Sequence, residues 1–365
     1  MRPTDINPGN YGEQLQQKYT TVRQEFAEFS MPELETFESS PVNYRFRAEF
    51  RLWHDGEELN HVMFDQATKE KYQVHTFPPA CLLINNLMKD LLSELKTNEV
   101  ARQKLFQIDY LATLSGEIVA SLLYHKTLDD SWVKEIQTIL NKLRKTYKVD
   151  IIGRAKKQKI VLDKDYATEK LLINKQAFTF KQIENSFTQP NAMVNIKMIE
   201  WALDITKNSD GDLLELYCGA GNFSVPLAQN FRKVLATEIS KTSVAAAQHN
   251  IQDNNIDNLK IIRMSSEEFV QAQQGIREFR RLEGVNLKDY DCKTVLVDPP
   301  RAGLDDATVD MIKAYENIVY ISCNPETLKH NLRTLLKTHK VTRFALFDQF
   351  PYTHHAECGV YLQAL

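Results

Sequence analysis

The sequence predicts an α/β protein in which a mostly parallel, doubly wound sheet follows a smaller α+β domain. From about Gly211 onward, short apolar runs alternate with helical patterns, which is typical of parallel strands joined by crossover helices. Up to roughly Phe180, strand-like and helical runs mix without this rhythm, as they do in α+β folds. The polar segment Glu184–Pro190 separates the two patterns. We therefore predict two domains, 1–183 and 184–365.

Composition narrows the class of protein. No apolar run in the 365 residues approaches the roughly 18 residues needed to span a bilayer. The N-terminal stretch is polar and lacks the apolar segment of a secretory signal, so we expect a cytoplasmic protein without membrane contact. The five cysteines are scattered without CxxC spacing, which argues against disulfides, a metal site and an iron–sulfur cluster. The net charge of -3 gives no sign of a nucleic-acid partner, although a local basic patch would suffice to bind one.

The elements of both halves follow from the period of their apolar residues. In the N-terminal half we expect strands at Tyr44–Trp53, His61–Asp65, Phe106–Leu114 and Ile118–Tyr124, and helices at Leu82–Leu95 and Trp132–Arg144. In the C-terminal half the expected strands are DLLELY, KVLATE, LKIIRM, TVLVD, NIVYIS and VTRFALF. The helices between and after them are expected at Asn222–Gln229, Thr242–Asp253, Ser266–Gln274, Asp306–Tyr315 and Pro325–Thr338. A last strand-like run, Cys358–Leu362, predicts a hairpin with VTRFALF at the sheet edge.

Three features of the C-terminal half point to a nucleotide-type cofactor. Gly219 and Gly221 form a glycine-rich turn between the first strand and a helix, where backbone can approach a ligand closely. Glu238 ends the second strand, at about the sequence separation from the glycine turn at which an acidic residue hydrogen-bonds to ribose hydroxyls. Asp298 ends the fourth strand, because the prolines that follow it cannot continue a ladder. A GxG turn alone is equally consistent with a tight connection, but the three together resemble S-adenosylmethionine methyltransferases more than dehydrogenases.

Cys323 lies where the fifth strand becomes a helix. Asn324 suits the N-cap and Pro325 the first helical position, so the thiol is expected at the ligand edge of the sheet. We expect the helix N-terminus to lower the pKa of this thiol. The alternative is a core cysteine that happens to end a strand.

A thiolate at this edge suits methylation of carbon 5 of uracil. That carbon is a poor nucleophile, and addition of a thiolate to carbon 6 turns the ring into an enolate that can attack a methyl sulfonium. A base must then remove the carbon 5 proton so that the thiolate can leave. Glu357, in FDQFPYTHHAECGVYL, is a candidate whose apolar neighbours would raise its pKa, and His354 and His355 are competing bases.

At these residues the chain resembles a known family. LELYCGAGNFS, VDPPRAGL, ISCNP and FPYTHHAECGVYL match, in order, the motifs of the RNA uracil-5 methyltransferases. YRFRAEFRLWHDG and LFQIDYL resemble the bacterial tRNA (uracil-5-)-methyltransferases in particular. The resemblance covers essentially the whole chain. It implies a Rossmann-like, S-adenosylmethionine-dependent catalytic domain at 184–365 and an RNA-binding domain at 1–183.

The resemblance also implies roles for single residues. Cys323 would be the nucleophile and Glu357, rather than either histidine, the base. The implied cofactor contacts are Gln189, Tyr217, Asn222, Glu238 and Asp298. The chain lacks the additional β-barrel and the cysteine cluster of many ribosomal-RNA relatives, which favours tRNA as substrate, at the TΨC-loop uridine that becomes ribothymidine. The similar loop of transfer-messenger RNA (tmRNA) is a second expected substrate.

RNA contacts are expected in the N-terminal half. In the run 44–52, Arg45, Arg47 and Arg51 alternate with apolar residues, which predicts a half-buried strand with a basic outer face suited to phosphates. A merely solvated face is the alternative. A base inside a structured loop must be extruded to reach Cys323, and Phe106 and His125 are candidates to contact that loop.

Three other functions stay open on the sequence. A cytosine-5 methyltransferase would share the thiolate chemistry, but it usually carries a Pro-Cys motif where this chain has Asp298 and two prolines. An amino-methylating enzyme would carry an aromatic residue where Arg301 stands. A catalytically inactive RNA-binding protein or chaperone would not need both Cys323 and Glu357.

Overall fold

The computed structural model describes residues 2–65 and 67–365. In these residues the strands are, in chain order, β1 Leu34–Phe37, β2 Arg47–Asp55, β3 Glu58–Phe64, β4 Lys71–Gln73, β5 Leu105–Ala112, β6 Glu117–Tyr124, β7 Lys148–Ala155, β8 Gln158–Val161, β9 Tyr166–Ile173, β10 Gln176–Ile183, β11 Asp212–Leu216, β12 Val234–Glu238, β13 Leu259–Arg263, β14 Cys292–Val297, β15 Asn317–Ser322, β16 His339–Phe347 and β17 Glu357–Ala364. The α-helices of the same residues are α1 Tyr11–Glu25, α2 Leu82–Lys96, α3 Glu99–Arg102, α4 Asp130–Leu143, α5 Ala192–Thr206, α6 Ser224–Leu227, α7 Lys241–Asp253, α8 Ser266–Gln273, α9 Asp306–Ile312 and α10 Pro325–Leu335. None of the helices in the described part of the chain has the length and apolar character needed to cross a membrane.

The chain forms two compact units, and neither is a single stretch of sequence. The first unit comprises Met1–Pro8, Ser40–Lys170 and Gln182–Ala192, and the second comprises Gly9–Ser39, Leu171–Lys181 and Met193–Leu365. The division therefore differs from the predicted domains 1–183 and 184–365 at two places. Near the predicted boundary, Leu171–Lys181 joins the second unit and Gln182–Ala192 the first. At the N-terminus, Gly9–Ser39 joins the second unit, where β1 pairs in parallel with β16 of the C-terminal sheet. Such long-range pairing leaves no local pattern in the sequence.

The first unit is a seven-stranded sheet in the order β4-β3-β2-β5-β6-β7-β8. Its neighbours are antiparallel except β6 and β7, which run parallel and are joined by α4. On β2 the buried residues Ala48, Phe50 and Leu52 alternate with exposed Glu49 and Arg51, as the sequence predicted. The buried face contributes to a core that α2 and α4 complete with their apolar sides. The opposite face carries the polar side chains of β2.

The second unit contains an eight-stranded sheet in the order β1-β16-β17-β15-β14-β11-β12-β13. The strands from β13 to β15 are parallel neighbours, and every residue of β11 is buried, as expected for a sheet covered on both faces. This confirms the predicted doubly wound fold class. The predicted edge hairpin is wrong in one respect. β16 and β17 do pair antiparallel, but β17 lies between β15 and β16, and β1 forms the edge outside them.

Strand order fixes where the site lies. β12 and β13 extend the sheet on one side of β11, and β14 and β15 extend it on the other, so the order of the strands reverses next to β11. Ligands of such sheets bind at the carboxyl ends of the strands beside this reversal. Leu216 of β11 pairs with Val297 of β14, and Val297 pairs with Tyr320 of β15. The residues that follow these strands therefore emerge at one edge.

Candidate active site

The glycine turn after β11 has an open backbone face. Tyr217, Gly219 and Gly221 all have positive φ angles, of 61°, 57° and 84°. A Cβ placed on Gly219 would meet no atom within 4 Å, whereas one on Gly221 would lie 3.1 Å from a Val225 methyl group. Gly221 therefore permits close packing of the turn, and Gly219 leaves space beside the backbone. That space is what a ligand cradle requires.

Glu238 is fixed beside this turn. Its carboxylate accepts hydrogen bonds from the backbone N–H groups of Gly219, at 3.0 Å, and Ser240, at 2.7 Å. These bonds orient the carboxylate at the end of β12, where the remaining lone pairs suit the two hydroxyls of a ribose. The next residue, Ile239, is 61% exposed and offers an apolar surface at the same place. Sequence reasoning missed Ile239, although its position directly after the acidic residue was visible.

Tyr217 and Asn222, the other predicted cofactor contacts of the turn, are held by partners from neighbouring helices. The Tyr217 hydroxyl lies 2.6 Å from the Ser266 hydroxyl at the start of α8. The side-chain amides of Asn222 and Asn195 donate to each other, at 2.9 and 2.8 Å. Ser266 and Asn195 were not predicted, because no local pattern links them to the turn.

Cys323 and Glu357 are brought together by the pairing of β15 with β17. Ser322 of β15 is the antiparallel partner of Cys358 of β17. Cys323 follows directly after β15 and Glu357 begins β17, so the two residues come together where this pairing ends. After burial, the charge of Glu357 is the largest influence that raises the pKa of the Cys323 thiol. The predicted nucleophile and the predicted base thus share one end of the strand pair.

The carboxyl groups at this edge hold their protons strongly. Glu357 is buried, and burial together with the charge of Asp298 raises its pKa well above the ordinary value. Burial raises the pKa of Asp298 to about 7. The raised pKa of Glu357 confirms the expectation from its apolar neighbours. Behind them, the Ser224 hydroxyl donates to the buried carboxyl of Glu215, and burial raises the pKa of Glu215 to about 8.

The expectation of a lowered pKa for Cys323 is wrong. Partial burial, then the charges of Glu357 and Asp298, raise the pKa of this thiol to about 11, although Arg301 acts in the opposite direction. The N-cap interaction at the start of α10 is made by Asn324, whose side chain accepts from the Glu326 N–H. The thiol precedes the cap. Burial, together with the carboxyl groups of Glu357 and Asp298, therefore favours the protonated thiol at neutral pH.

Arg301 and His355 complete the edge. The Arg301 guanidinium lies 3.3 Å from His355 Nδ1, and the Arg301 carbonyl accepts a hydrogen bond from the Asn324 side chain. Burial, His354 and Arg301 lower the pKa of His355. Both histidines are more exposed than Glu357, and Glu357, unlike the histidines, is among the groups whose charge shifts the pKa of Cys323.

The remaining predicted residues lie in the first unit. Gln189 is half-buried in the segment before α5, next to Pro190, whose carbonyl accepts the Phe46 N–H. Phe106 and His125 are stacked, with ring centroids 3.8 Å apart and an interplanar angle of 9°. Arg51 lies over Phe106, with its guanidinium carbon 5.5 Å from the ring centroid.

The three predicted arginines are not equivalent. Arg51 is exposed on β2. Arg47 donates to the Ser186 carbonyl and also lies 3.8 Å from Glu49. Arg45 precedes β2, contrary to the expected strand, and its guanidinium donates to the Arg47 carbonyl at 2.7 Å. Burial lowers the pKa of Arg45. A bridge between Arg45 and Ala80 replaces the expected strand pairing there.

Comparison with known proteins decides the family. The family profile of tRNA (Uracil-5-)-methyltransferase matches residues 10–365. The chain belongs to the tRNA (uracil-5-)-methyltransferase family. A tRNA/tmRNA (uracil-C(5))-methyltransferase of Pseudoalteromonas atlantica is 69% identical over 363 residues, covering 100% of both chains. The protein of the same name from Shewanella oneidensis is 59% identical over 365 residues, again covering 100% of both.

A solved structure supports the fold of this family member. The tRNA (uracil-54, C5)-methyltransferase of Pyrococcus abyssi, in complex with S-adenosyl-L-homocysteine, superposes with a TM-score of 0.71. The match covers 97% of this chain and 83% of that one, at 20% sequence identity. The family and the fold predicted from the motifs are therefore confirmed. The roles of single residues in this tRNA (uracil-5-)-methyltransferase remain predictions, to which the geometry above gives a structural basis.

Proposed function

We propose that the protein transfers a methyl group from S-adenosylmethionine to carbon 5 of a uridine in the TΨC loop of tRNA, through a covalent adduct between Cys323 and carbon 6. The observation that carries this proposal is that Cys323, directly after β15, and Glu357, at the start of β17, meet at the edge that also holds Asp298 and the glycine turn. Because close relatives are named for tmRNA as well, we include the similar loop of tmRNA as a second substrate. The proposed site of action is the cytoplasm, where both RNAs are found.

The residues of the glycine-turn edge fit S-adenosylmethionine. The open space beside Gly219 admits a ligand against backbone, and Glu238 supplies an oriented acceptor for ribose hydroxyls. Tyr217 and Asn222 border the same turn, and Gln189 is proposed as a further contact on the strength of the family motif. When bound, the cofactor supplies an electrophilic methyl group on a positively charged sulfur, and that charge favours the ionised forms of Asp298 and Glu357.

Cys323 must lose its proton before it can attack. At neutral pH a thiol with a pKa of about 11 is almost wholly protonated, so a neighbouring base has to accept its proton. The ionised carboxylate of Asp298, whose charge acts on this thiol, is the candidate, because Glu357 must stay ionised to take the later proton. The thiolate then forms a bond to carbon 6 of the uracil, and the electron pair moves onto the ring to make carbon 5 nucleophilic.

Glu357 carries the last proton transfer. After methylation, carbon 5 bears both the methyl group and the original hydrogen. Glu357 takes this proton, the double bond re-forms between carbons 5 and 6, and the sulfur of Cys323 leaves. A buried carboxylate has a high proton affinity, which suits removal of a weakly acidic proton. The nucleophile and the base belong to adjacent strands, so one reaction centre serves both steps.

The proposed RNA contacts are stacking on Phe106 and His125 and a phosphate contact from Arg51. Extrusion of a base from a structured loop leaves a gap in the stack, and planar side chains lower its cost by stacking on the bases that remain. The coplanar pair of Phe106 and His125 has this shape. The pair lines two surface grooves, one of which includes Lys126 and the other Lys104. Arg51 is the basic residue best placed for a phosphate, whereas Arg45 and Arg47 contribute less because they hydrogen-bond to backbone carbonyls.

A trapping experiment tests the function. The protein is incubated with labelled S-adenosylmethionine and a T-arm RNA that carries 5-fluorouridine at the target position. Fluorine cannot leave as a proton does, so we expect a denaturation-resistant complex that contains protein, RNA and label. Cys323→Ala should abolish it. Cys292→Ala is the matched control, because Cys292 is the other partly buried cysteine, and it should leave trapping unchanged. A Cys323→Ala protein that still cross-links would rule out the nucleophile assignment.

A further inference from the structure

A buried ion pair lies at the start of the segment that leads to Glu357. β16 and β17 are joined by the segment 348–356, which we call the base-bearing loop because Glu357 follows it directly. Lys18 of α1 donates to the Asp348 carboxylate at 2.6 Å, and their side chains are 5% and 0% exposed. Phe347, the residue before Asp348, is the register partner of Glu357. The ion pair is therefore one residue away from the partner of the base.

α1 holds the base-bearing loop at further points. Lys18 also donates to the Phe350 carbonyl at 2.9 Å. Gln14, one turn earlier on the same face of α1, donates to Asp348 at 3.1 Å and accepts from the Tyr352 N–H at 2.9 Å. Tyr352 has a φ of 61°, a left-handed conformation that requires support from its surroundings. Two side chains of one helix thus bind the first, third and fifth residues of a loop without regular structure.

Stability alone does not require an ion pair at the start of the base-bearing loop. A buried carboxylate needs a partner, but an apolar pair would fill the same space at similar or lower cost. The pair of Lys18 and Asp348 instead fixes where the base-bearing loop leaves β16. The loop then carries His355, which contacts Arg301, before it reaches Glu357. The pair is thereby linked by a short run of chain to the residue that must remove the carbon 5 proton.

We propose that Lys18 and Asp348 are positioning residues that align Glu357 with carbon 5 of the bound uracil. The inference rests on the proposed function, in which Glu357 is the base. The two residues touch neither substrate nor cofactor in this mechanism, and they act through the backbone of the base-bearing loop. Their loss should slow the step that Glu357 performs more than the steps that precede it.

The reaction intermediate provides the test, because the adduct forms before Glu357 removes the proton. A natural T-arm RNA, without fluorine, is mixed with labelled cofactor, and the denaturation-resistant adduct and the free methylated product are both measured. We expect Lys18→Met to accumulate adduct and to lower kcat at least tenfold, with KM for RNA changed less than threefold. The double variant Lys18→Met/Asp348→Asn removes the uncompensated carboxylate, so it should fold well and still accumulate adduct.

A matched pair separates positioning from stability. Arg232 and Asp212 form another ion pair of the second unit, with a fully buried aspartate, at the opposite ends of the strands. Arg232→Met/Asp212→Asn should lower the temperature of unfolding without changing the ratio of adduct to product. A partly unfolded protein would lose adduct and product in equal proportion. If the Lys18 variants do the same, the positioning proposal is wrong.

One further variant distinguishes the two proposals. Glu357→Gln should accumulate adduct strongly and yield no free product. If it does so and the Lys18 variants behave like the wild type, only the positioning role fails. If neither Glu357→Gln nor any other variant yields an adduct that depends on Cys323, the covalent mechanism itself fails.

Discussion

The reactivity of Cys323 towards an alkylating reagent should be low in the free protein and should rise with pH. Its pKa of about 11, compared with an ordinary value of 9.0, means that about one thiol in a thousand is ionised at pH 8, against about one in ten for an ordinary cysteine. The thiolate fraction is therefore about 100-fold smaller. A more basic thiolate is also a better nucleophile, which recovers about 6- to 10-fold over this pKa difference. The net expectation is alkylation roughly 10-fold slower than that of an ordinary exposed thiol.

The assay compares the labelling rate of Cys323 in the native protein with its labelling rate in the unfolded protein. Iodoacetamide labelling of the Cys323 peptide is followed by mass spectrometry at pH 7 to 10, in the native protein and in urea, where the ordinary pKa returns. Asp298→Asn should speed native labelling, because it removes one of the charges that raise the thiol pKa. Asp310→Asn, which removes an exposed carboxylate paired with Lys313, should not. Native labelling at pH 8 that equals or exceeds labelling in urea would refute the reasoning and restore the helix N-terminus as the dominant influence.

Three further outcomes follow from the structure. Gly219→Ala should lower stability by about 1–2 kcal/mol, because the residue has a left-handed backbone, and calorimetry should show at least tenfold weaker binding of S-adenosylhomocysteine. Gly303→Ala is the control: its Cβ would lie 2.8 Å from Thr327, so it should lower stability but leave cofactor affinity unchanged. Glu215 binds its proton more tightly in the folded protein, so the free energy of unfolding should fall as pH rises from about 4.5 to about 8. Glu215→Gln should remove this fall, and urea unfolding above pH 8 should show the variant more stable than the wild type by at most about 5 kcal/mol. Phe106→Ala should weaken T-arm RNA binding by about 1–3 kcal/mol in a filter-binding assay at fixed salt, without changing cofactor affinity.

The parts of the fold that the sequence predicted are those with local signals. Parallel strands of the second unit are short apolar runs that alternate with helical patterns, and their carboxyl ends meet at one edge whatever the details of packing. Tyr217, Glu238 and Asp298 could therefore be placed together before any coordinates were known. The alternation along β2 likewise predicted a half-buried strand with Arg51 on its exposed face.

What the sequence did not predict depends on contacts between distant residues. β1 joins the second sheet through parallel pairing with β16, about 310 positions away along the chain, and no periodicity encodes that choice. The pKa of Cys323 depends on its burial and on the carboxyl groups of Glu357 and Asp298, whereas the sequence argument considered only the helix that follows the thiol. Lys18 gave no signal either, because a lysine in an amphipathic helix is ordinarily exposed.

The carboxyl groups beside Cys323 have two opposite effects on catalysis, and both follow from their burial. In the free protein, burial of the thiol and then the charges of these groups raise the pKa of Cys323, so the proposed nucleophile is kept in the protonated form that reacts slowly with oxidants and alkylating agents. In the proposed mechanism a cationic cofactor favours their ionised forms, so that Asp298 accepts the thiol proton and Glu357 later accepts the proton on carbon 5. A lysine or histidine beside the thiol would activate it permanently. Under the proposed mechanism, the pair of Asp298 and Glu357 instead makes activation conditional on the cofactor, so that nucleophile and methyl donor become reactive together.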